Sequence, residues 1–268
     1  MSLIHAFLLG LLQGATEFLP VSSSGHLVLV PWFLGWPAPG LVYDALVHWG
    51  TAVAVVAYFW REWAALLGAA WRAVRRRSLA DPQARLLALL ILGTIPGAVI
   101  GWLLEDFFAG MFNRPAAASA FLLVTAAVLA LSERFSSRER GMDHLSWVDV
   151  LAIGLAQAAA ILPGLSRSGM TIAAGMGRGL RRESAARFSF LLSTPIILGA
   201  GLLQVWNLVQ AGALAAQAPA LVVGFLSALA AGLACIHYLL RYLQRYPLYP
   251  FAVYCAGLGV LGLIITLR

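Results

Sequence analysis

Residues 13–26 read Gln13-Gly-Ala-Thr-Glu17-Phe-Leu-Pro20-Val-Ser22-Ser23-Ser24-Gly25-His26, in the middle of an otherwise apolar run from residue 2 to residue 34. A run of that length exceeds one crossing of a hydrocarbon core about 30 Å thick, yet it is too short for two. Its centre holds a carboxylate, a proline, three serines and a histidine, a poor interior for a straight transmembrane helix. A helix that stops at Leu19-Pro20 and restarts within the serines gives instead a re-entrant hairpin, which dips into the protein and returns. Irregular backbone at that depth is tolerated only inside protein or beside a water-filled cavity. A signal peptide would need a basic leader, but residues 1–60 contain no Lys or Arg and Glu17 interrupts the run.

Residues 147–177 repeat the pattern around Pro163-Gly-Leu-Ser166-Arg167-Ser168-Gly-Met-Thr171. Gly10-Leu-Leu-Gln13 aligns with Gly154-Leu-Ala-Gln157, Ser22 with Ser166, Ser24 with Ser168 and Gly25 with Gly169. Leu19-Pro20 meets Leu162-Pro163 after a one-residue slip. Two such broken helices entering from opposite faces form an inverted-topology repeat, whose binding site lies near the midplane where the breaks meet.

The rest of the chain fits that frame. Of 268 residues, 61% are hydrophobic and 11% charged, against about 25% charged in soluble domains. With a mean hydropathy of +0.86, this composition excludes a disordered chain, a coiled coil and a soluble enzyme with a polar shell. Residues 45–60, 86–104, 115–132 and 246–267 are uncharged runs of single-span length. Residues 188–240 carry no Asp, Glu, Lys or Arg; as helix they would extend roughly 80 Å, so they read as two spans broken near Asn207–Pro219.

The net charge of +7 is all arginine on the basic side. It falls in clusters at Arg61–Arg85, Arg134–Arg140, Arg178–Arg187 and Arg241–Arg245, the pattern of cytoplasmic loops meeting anionic headgroups rather than of nucleic-acid binding. The loops around Trp36–Gly40, Glu105–Arg114 and Asn207–Pro219 are then external. With the Arg-rich loops on one side, residues 147–177 must begin and end on the same face. The expected fold is an all-α integral membrane protein with about six transmembrane helices plus two re-entrant helical hairpins. It forms one polytopic domain over 1–268, with repeat-like halves at 1–132 and 147–268 joined by a cytoplasmic loop 133–146. Cys235 and Cys255 lie in apolar segments and read as small buried hydrophobes.

Gln13 and Glu17, four apart, share a helix face, and a carboxylate at membrane depth marks function by default. Ser22, Ser23, Ser24 and Gly25 at a helix restart aim hydroxyls and free N–H groups at one volume, an anion site. His26 can carry a proton near neutral pH. Arg167 is the only formal charge between Asp149 and Arg178; its guanidinium stays charged and suits bidentate phosphate binding, with Ser166, Ser168 and Thr171 as neutral donors. Glu17 can hold Mg²⁺ or Ca²⁺ together with substrate phosphate oxygens. These groups suit a phosphate or diphosphate on a lipid, within the bilayer. A bland alternative has Arg167 merely pairing with Glu17 to join the hairpins. A functional alternative is a transporter or flippase of a lipid phosphate or small anion at the same site.

Gln13–His26 and Pro163–Thr171 resemble the two signatures of the bacterial undecaprenyl-diphosphate phosphatase, or bacitracin-resistance, family, and the likeness covers essentially the whole chain. It implies hydrolysis of undecaprenyl diphosphate, a polyprenyl diphosphate lipid, to undecaprenyl phosphate and inorganic phosphate. That reaction recycles the carrier for cell-wall synthesis and confers bacitracin resistance. The resemblance also implies a divalent cation, and a site opening to the outer (periplasmic) face of the bacterial plasma membrane. By position, Glu17 would be the essential, metal-binding acid. Ser23 and His26 would take the nucleophile and acid/base roles, with Ser23, His26 itself or a water activated by His26 as the attacking group, and Arg167 would clamp the diphosphate. Gln13, Ser22, Ser24, Ser166, Ser168 and Thr171 would line the substrate. Two positions depart from the family pattern: Gln13, where many members carry Glu, and His48 in His48-Trp-Gly-Thr51, where Gln-Leu-Gly-Thr or Gln-Leu-Gly-Ser is usual. Asp44 lies one turn before His48; both could line the cavity, but as a span-end pair they need no function.

Overall fold

The apolar runs fold as helices, and each Leu-Pro and serine interruption ends one. A computed structural model describes residues 1–37, 40–210 and 214–266, with twelve α-helices. These are α1 (Leu3–Phe18), α2 (Ser23–Leu34), α3 (Leu41–Tyr58), α4 (Trp60–Arg76), α5 (Pro82–Leu103) and α6 (Glu105–Met111). They continue with α7 (Pro115–Phe135), α8 (Trp147–Ala159), α9 (Arg167–Gly177), α10 (Arg182–Gln210), α11 (Leu214–Leu243) and α12 (Tyr249–Thr266).

Both broken segments are helical hairpins. α1 ends at Leu19, whose extended backbone (φ −60°, ψ 137°) precedes Pro20, where the proline ring disfavours helix. α2 restarts behind Ser22, whose hydroxyl accepts from the Gly25 N–H at 3.2 Å. α9 restarts in the same way behind Ser166, which accepts from the Gly169 N–H at 3.0 Å. At about 1.5 Å per residue none of these four helices reaches 30 Å. The first hairpin starts and finishes at one level, with His5 stacked on Trp36 at 4.2 Å. Its open end lies beside the starts of α3 and α11, where Tyr43 donates to the Ala6 carbonyl and Leu221 joins the same apolar cluster. The second hairpin opens where Arg178 and Asp149, one from each arm, pair at 2.6 Å.

That second opening belongs to an end of the bundle where the Arg-rich segments are tied together. Arg140 and Arg178 converge on Asp149. Arg138, Arg182 and the Leu248 N–H converge on Glu133. Arg187 reaches Glu62 at 2.7 Å, and Arg85 donates to the Leu145 carbonyl at 2.9 Å. The segment 136–146 is pinned here too, since Arg140 and Leu180 pair as an isolated bridge and a 3-10 turn follows at Met142–His144.

Among the described residues, four helices are long and apolar enough to cross a membrane: α5, α7, α11 from Ala218, and α12. α3 and α4 qualify only as a pair, and that pair is bent by 78°. Of the about six transmembrane helices expected from sequence, the described residues show these four plus the bent pair by length and composition. The expected span at residues 45–60 runs across a real helix break, and α10, the first part of 188–240, begins with charged Arg182, Glu183 and Arg187. The expected break near Asn207–Pro219 falls partly on residues 211–213, which lie outside the described residues, as do residues 38 and 39 of the Trp36–Gly40 loop. Glu105–Arg114, read as a loop, contains the short helix α6, whose first-turn acids Glu105 and Asp106 favour the positive end of its dipole. Cys235 and Cys255 are free, and Cys255 is buried.

Candidate functional site

The tips of the two hairpins meet halfway along the bundle. Thr125, in the middle of α7, holds the second tip: its hydroxyl donates to the Gly164 carbonyl at 2.9 Å and accepts from the Ser166 N–H at 3.1 Å. Gly164 has φ +98°, and a Cβ there would stand 2.1 Å from the Ala118 carbonyl oxygen, so only glycine fits. On the first tip, Cys255 in the middle of α12 lies 3.6 Å from the Pro20 carbonyl oxygen. Ser168 of α9 donates across to the Leu19 carbonyl at 3.0 Å. A Cβ on Gly25 would come within 3.2 Å of the Gly164 Cα.

Glu17 sits at the end of α1 and is 5% exposed, Arg167 opens α9 and is 14% exposed, and their side chains pair at 2.5 Å. The same carboxylate accepts from Ser23 Oγ at 2.5 Å and from Gln13 Nε2 at 2.8 Å. His48 brings Nε2 to 3.7 Å from Glu17 Oε2, while its Nδ1 lies 2.6 Å from the Asp44 carbonyl oxygen. Glu17 thus gathers Gln13 from its own helix, Ser23 from α2, His48 from α3 and Arg167 from α9.

Arg167 is only half used. Nη2 holds Glu17, but Nη1 is buried with no hydrogen-bond partner among the described residues. A buried guanidinium donor left unpaired is costly, so the atom is suited to an anion that brings its own oxygens. Two helix starts at the tips add donors of the same sign, together with the serine pairs Ser22···Ser24 at 3.3 Å and Ser166···Ser168 at 3.2 Å. Thr171 turns away from this centre; it bonds the Arg167 carbonyl at 2.7 Å and Ser189 at 2.6 Å, fixing the first turn of α9 to α10.

His26 is placed on α2 but does not hydrogen-bond to Ser23. Its Nδ1 faces the Ser22 carbonyl at 2.7 Å and its Nε2 the Tyr254 hydroxyl at 2.7 Å. A carbonyl can only accept, so Nδ1 carries the proton and Nε2 accepts from Tyr254. Tyr254 and Thr125 went unmarked in the sequence because a single hydroxyl in an apolar helix has many bland uses. Asp44, read there with His48 as a span-end pair, does lie in the first turn of α3, but His48, one turn further in, faces the site.

Among the described residues no three His, Cys, Asp or Glu side chains cluster as a metal site. The donors beside Glu17 nevertheless fit a hard divalent cation. Gln13 Oε1 is a buried acceptor with no partner among the described residues. With Glu17 it offers the all-oxygen chemistry that Mg²⁺ and Ca²⁺ accept when substrate phosphate completes the shell.

Comparison with known proteins agrees over the full length. Residues 6–261 match the family model described as "Bacitracin resistance protein BacA". A protein of Thermomicrobium roseum named "Undecaprenyl-diphosphatase" is 43% identical over 275 residues, covering 99% of each chain. One of Pelotomaculum thermopropionicum with the same name is 43% identical over 98% of this chain and 97% of its own. A third, from Syntrophotalea carbinolica, is 45% identical over 97% of both.

Proposed function

The chain belongs to the bacitracin resistance protein BacA family, and from that premise we propose that it is a membrane undecaprenyl-diphosphatase. It hydrolyses undecaprenyl diphosphate to undecaprenyl phosphate and inorganic phosphate, and so recycles the lipid carrier for cell-wall synthesis and confers bacitracin resistance. The observation that carries this reading is Arg167, with one amino group on Glu17 and the other buried and without a partner among the described residues, at the junction of two hairpins.

In this reading the diphosphate lies against Arg167 Nη1 and the helix starts at Ser22 and Ser166, while the isoprenoid tail runs between spans. Ser23 attacks the terminal phosphorus, and its proton passes to Glu17, which already accepts its hydrogen bond. The bond from that phosphorus to the bridging oxygen breaks, and undecaprenyl phosphate leaves with the bonding pair. Water then cleaves the phosphoserine, Glu17 returns its proton to the departing Ser23 oxygen, and inorganic phosphate is released. Arg167 stabilises charge as it grows on the bridging oxygen. His26, engaged by Ser22 and Tyr254, orients the serine turn and exchanges protons with Tyr254. Gln13, Ser24, Ser168 and Thr171 hold the substrate-facing turns in place. A divalent cation, Mg²⁺ or Ca²⁺, would be held by Glu17 and Gln13 Oε1 and would neutralise phosphate charge.

We assign the Arg-rich end to the cytoplasm and the opening of the site to the outer face of the bacterial plasma membrane. The halves 1–132 and 147–268 form an inverted-topology repeat whose hairpins dip from opposite leaflets. α3 and α10 complete six crossings.

Phosphate release from undecaprenyl or farnesyl diphosphate by the detergent-purified full chain tests the function. Release in detergent, where no vectorial transport can be scored, excludes a pure transporter. Ser23→Ala should abolish it; substantial residual turnover would reject the serine as nucleophile.

A further inference from the structure

α4 presents three different faces. Trp63 packs against the core, and Leu66 and Ala69 are fully buried. Trp60, Leu67, Trp71 and Val74 recur at the spacing of a single helical stripe, and they stand 58–74% exposed. Beside that stripe Arg61, Arg72, Arg75 and Arg76 are exposed as well. The one acid on the helix, Glu62, is held by Arg187, while Arg72 is tied to Asp81 at 2.8 Å.

The elbow that aims α4 is firmly built. Phe59 is buried, with φ −101° and ψ 28°, and ends α3. The Arg187 guanidinium lies 5.5 Å from the centre of its ring while also gripping Glu62. The resulting 78° bend turns α4 off the line of α3, at the end of the bundle where the other Arg-rich segments gather. Continued as a span, α4 would carry its arginines into hydrocarbon. Set against water alone, it would expose two tryptophans, a leucine and a valine in a row. A helix lying in the headgroup plane satisfies both faces.

We propose that α4 is an interfacial helix that docks onto anionic phospholipid. The Trp60–Leu67–Trp71–Val74 stripe rests among acyl chains, and Arg61, Arg75 and Arg76 meet the phosphates. The arginine row favours an anionic leaflet over a zwitterionic one. This assignment is independent of the hydrolytic reading.

The test uses the detergent-purified full chain titrated with short-chain phosphatidylglycerol, or with phosphatidylcholine of equal chain length, and followed by thermal unfolding. Phosphatidylglycerol should raise the Tm and phosphatidylcholine should not. Each arginine at an anionic surface contributes about fivefold, so Arg61→Gln/Arg75→Gln/Arg76→Gln should weaken the response on the order of a hundredfold. The matching triple lysine variant keeps the charge and should keep the response, which separates lost binding from damaged folding. An undiminished response in the glutamine variant, or loss of the response in both variants, overturns the proposal. So does a wild-type dimer in detergent that Trp71→Glu converts to monomer, because the stripe would then face a second copy.

Discussion

Glu17 is surrounded by donors: Gln13 and Ser23 bond it directly, Arg167 pairs with it and His48 stands behind them. Removing one partner of a buried pair leaves the other charge uncompensated. Glu17→Ala should therefore abolish phosphate release and also lower the Tm. Arg167→Lys keeps the charge but cannot hold Glu17 while offering a second planar donor. We expect it to fold with near-wild-type Tm and to lose about 10²- to 10³-fold in turnover, the usual cost of a missing transition-state donor; unchanged turnover would show that Nη1 plays no part. This pair was legible in the sequence because formal charges are scarce in apolar runs, so Glu17 and Arg167 each stood alone. Gln157 aligns in sequence with Gln13, and its amide is buried without a partner among the described residues. The position one turn after it is Ile161, where the first copy has Glu17. In the proposed repeat the frame is shared, while the carboxylate belongs to one hairpin only. The roles of Thr125 and Tyr254 were not legible, since they exist only through contacts made from distant helices.

At the level of elements, the hairpin tips depend on close backbone approach. Gly164→Ala would drive a methyl into the Ala118 carbonyl and must push the second tip off α7. We expect a loss of about 1–3 kcal/mol from overpacking, with turnover reduced because Arg167 moves with the tip. Thr125→Val is the gentler probe: its shape is nearly retained, but the Ser166 N–H and Gly164 carbonyl each lose a partner. A destabilisation of about 1–3 kcal/mol in thermal or denaturant unfolding would fit that loss; a neutral result would mean that water takes the place of the hydroxyl. The hairpin breaks were readable from Leu-Pro and serine because those residues act locally. The elbow at Phe59 was not, for no proline or glycine marks it. It arises from burial of the ring and from Arg187, contributed by a helix far along the chain.

For the molecule as a whole, the Arg-rich end acts as a clasp that joins the mouth of the second hairpin to the spans. Burial alone would raise the Asp149 carboxyl pKa. The Ser146 backbone N–H together with Arg140 and Arg178 outweigh that and hold it far below the ordinary carboxylate range. A depressed pKa contributes stability that is complete above the unfolded value of about 3.9 and is lost as pH falls through the folded one. Unfolding in detergent should show the protein weakening below about pH 4. Asp149→Asn should melt lower than wild type at neutral pH, and the gap should close on acidification. A gap that stays constant with pH would rule out this clasp as the acid-sensitive element. At the opposite extreme from the clasp, both tips are pinned halfway along α7 and α12. Orthophosphate born at that height starts its departure from inside the bundle rather than from its surface. Catalytic throughput is therefore tied to the departure of a small multivalent anion, and a high concentration of that anion in the medium should slow the cycle without altering the chemistry.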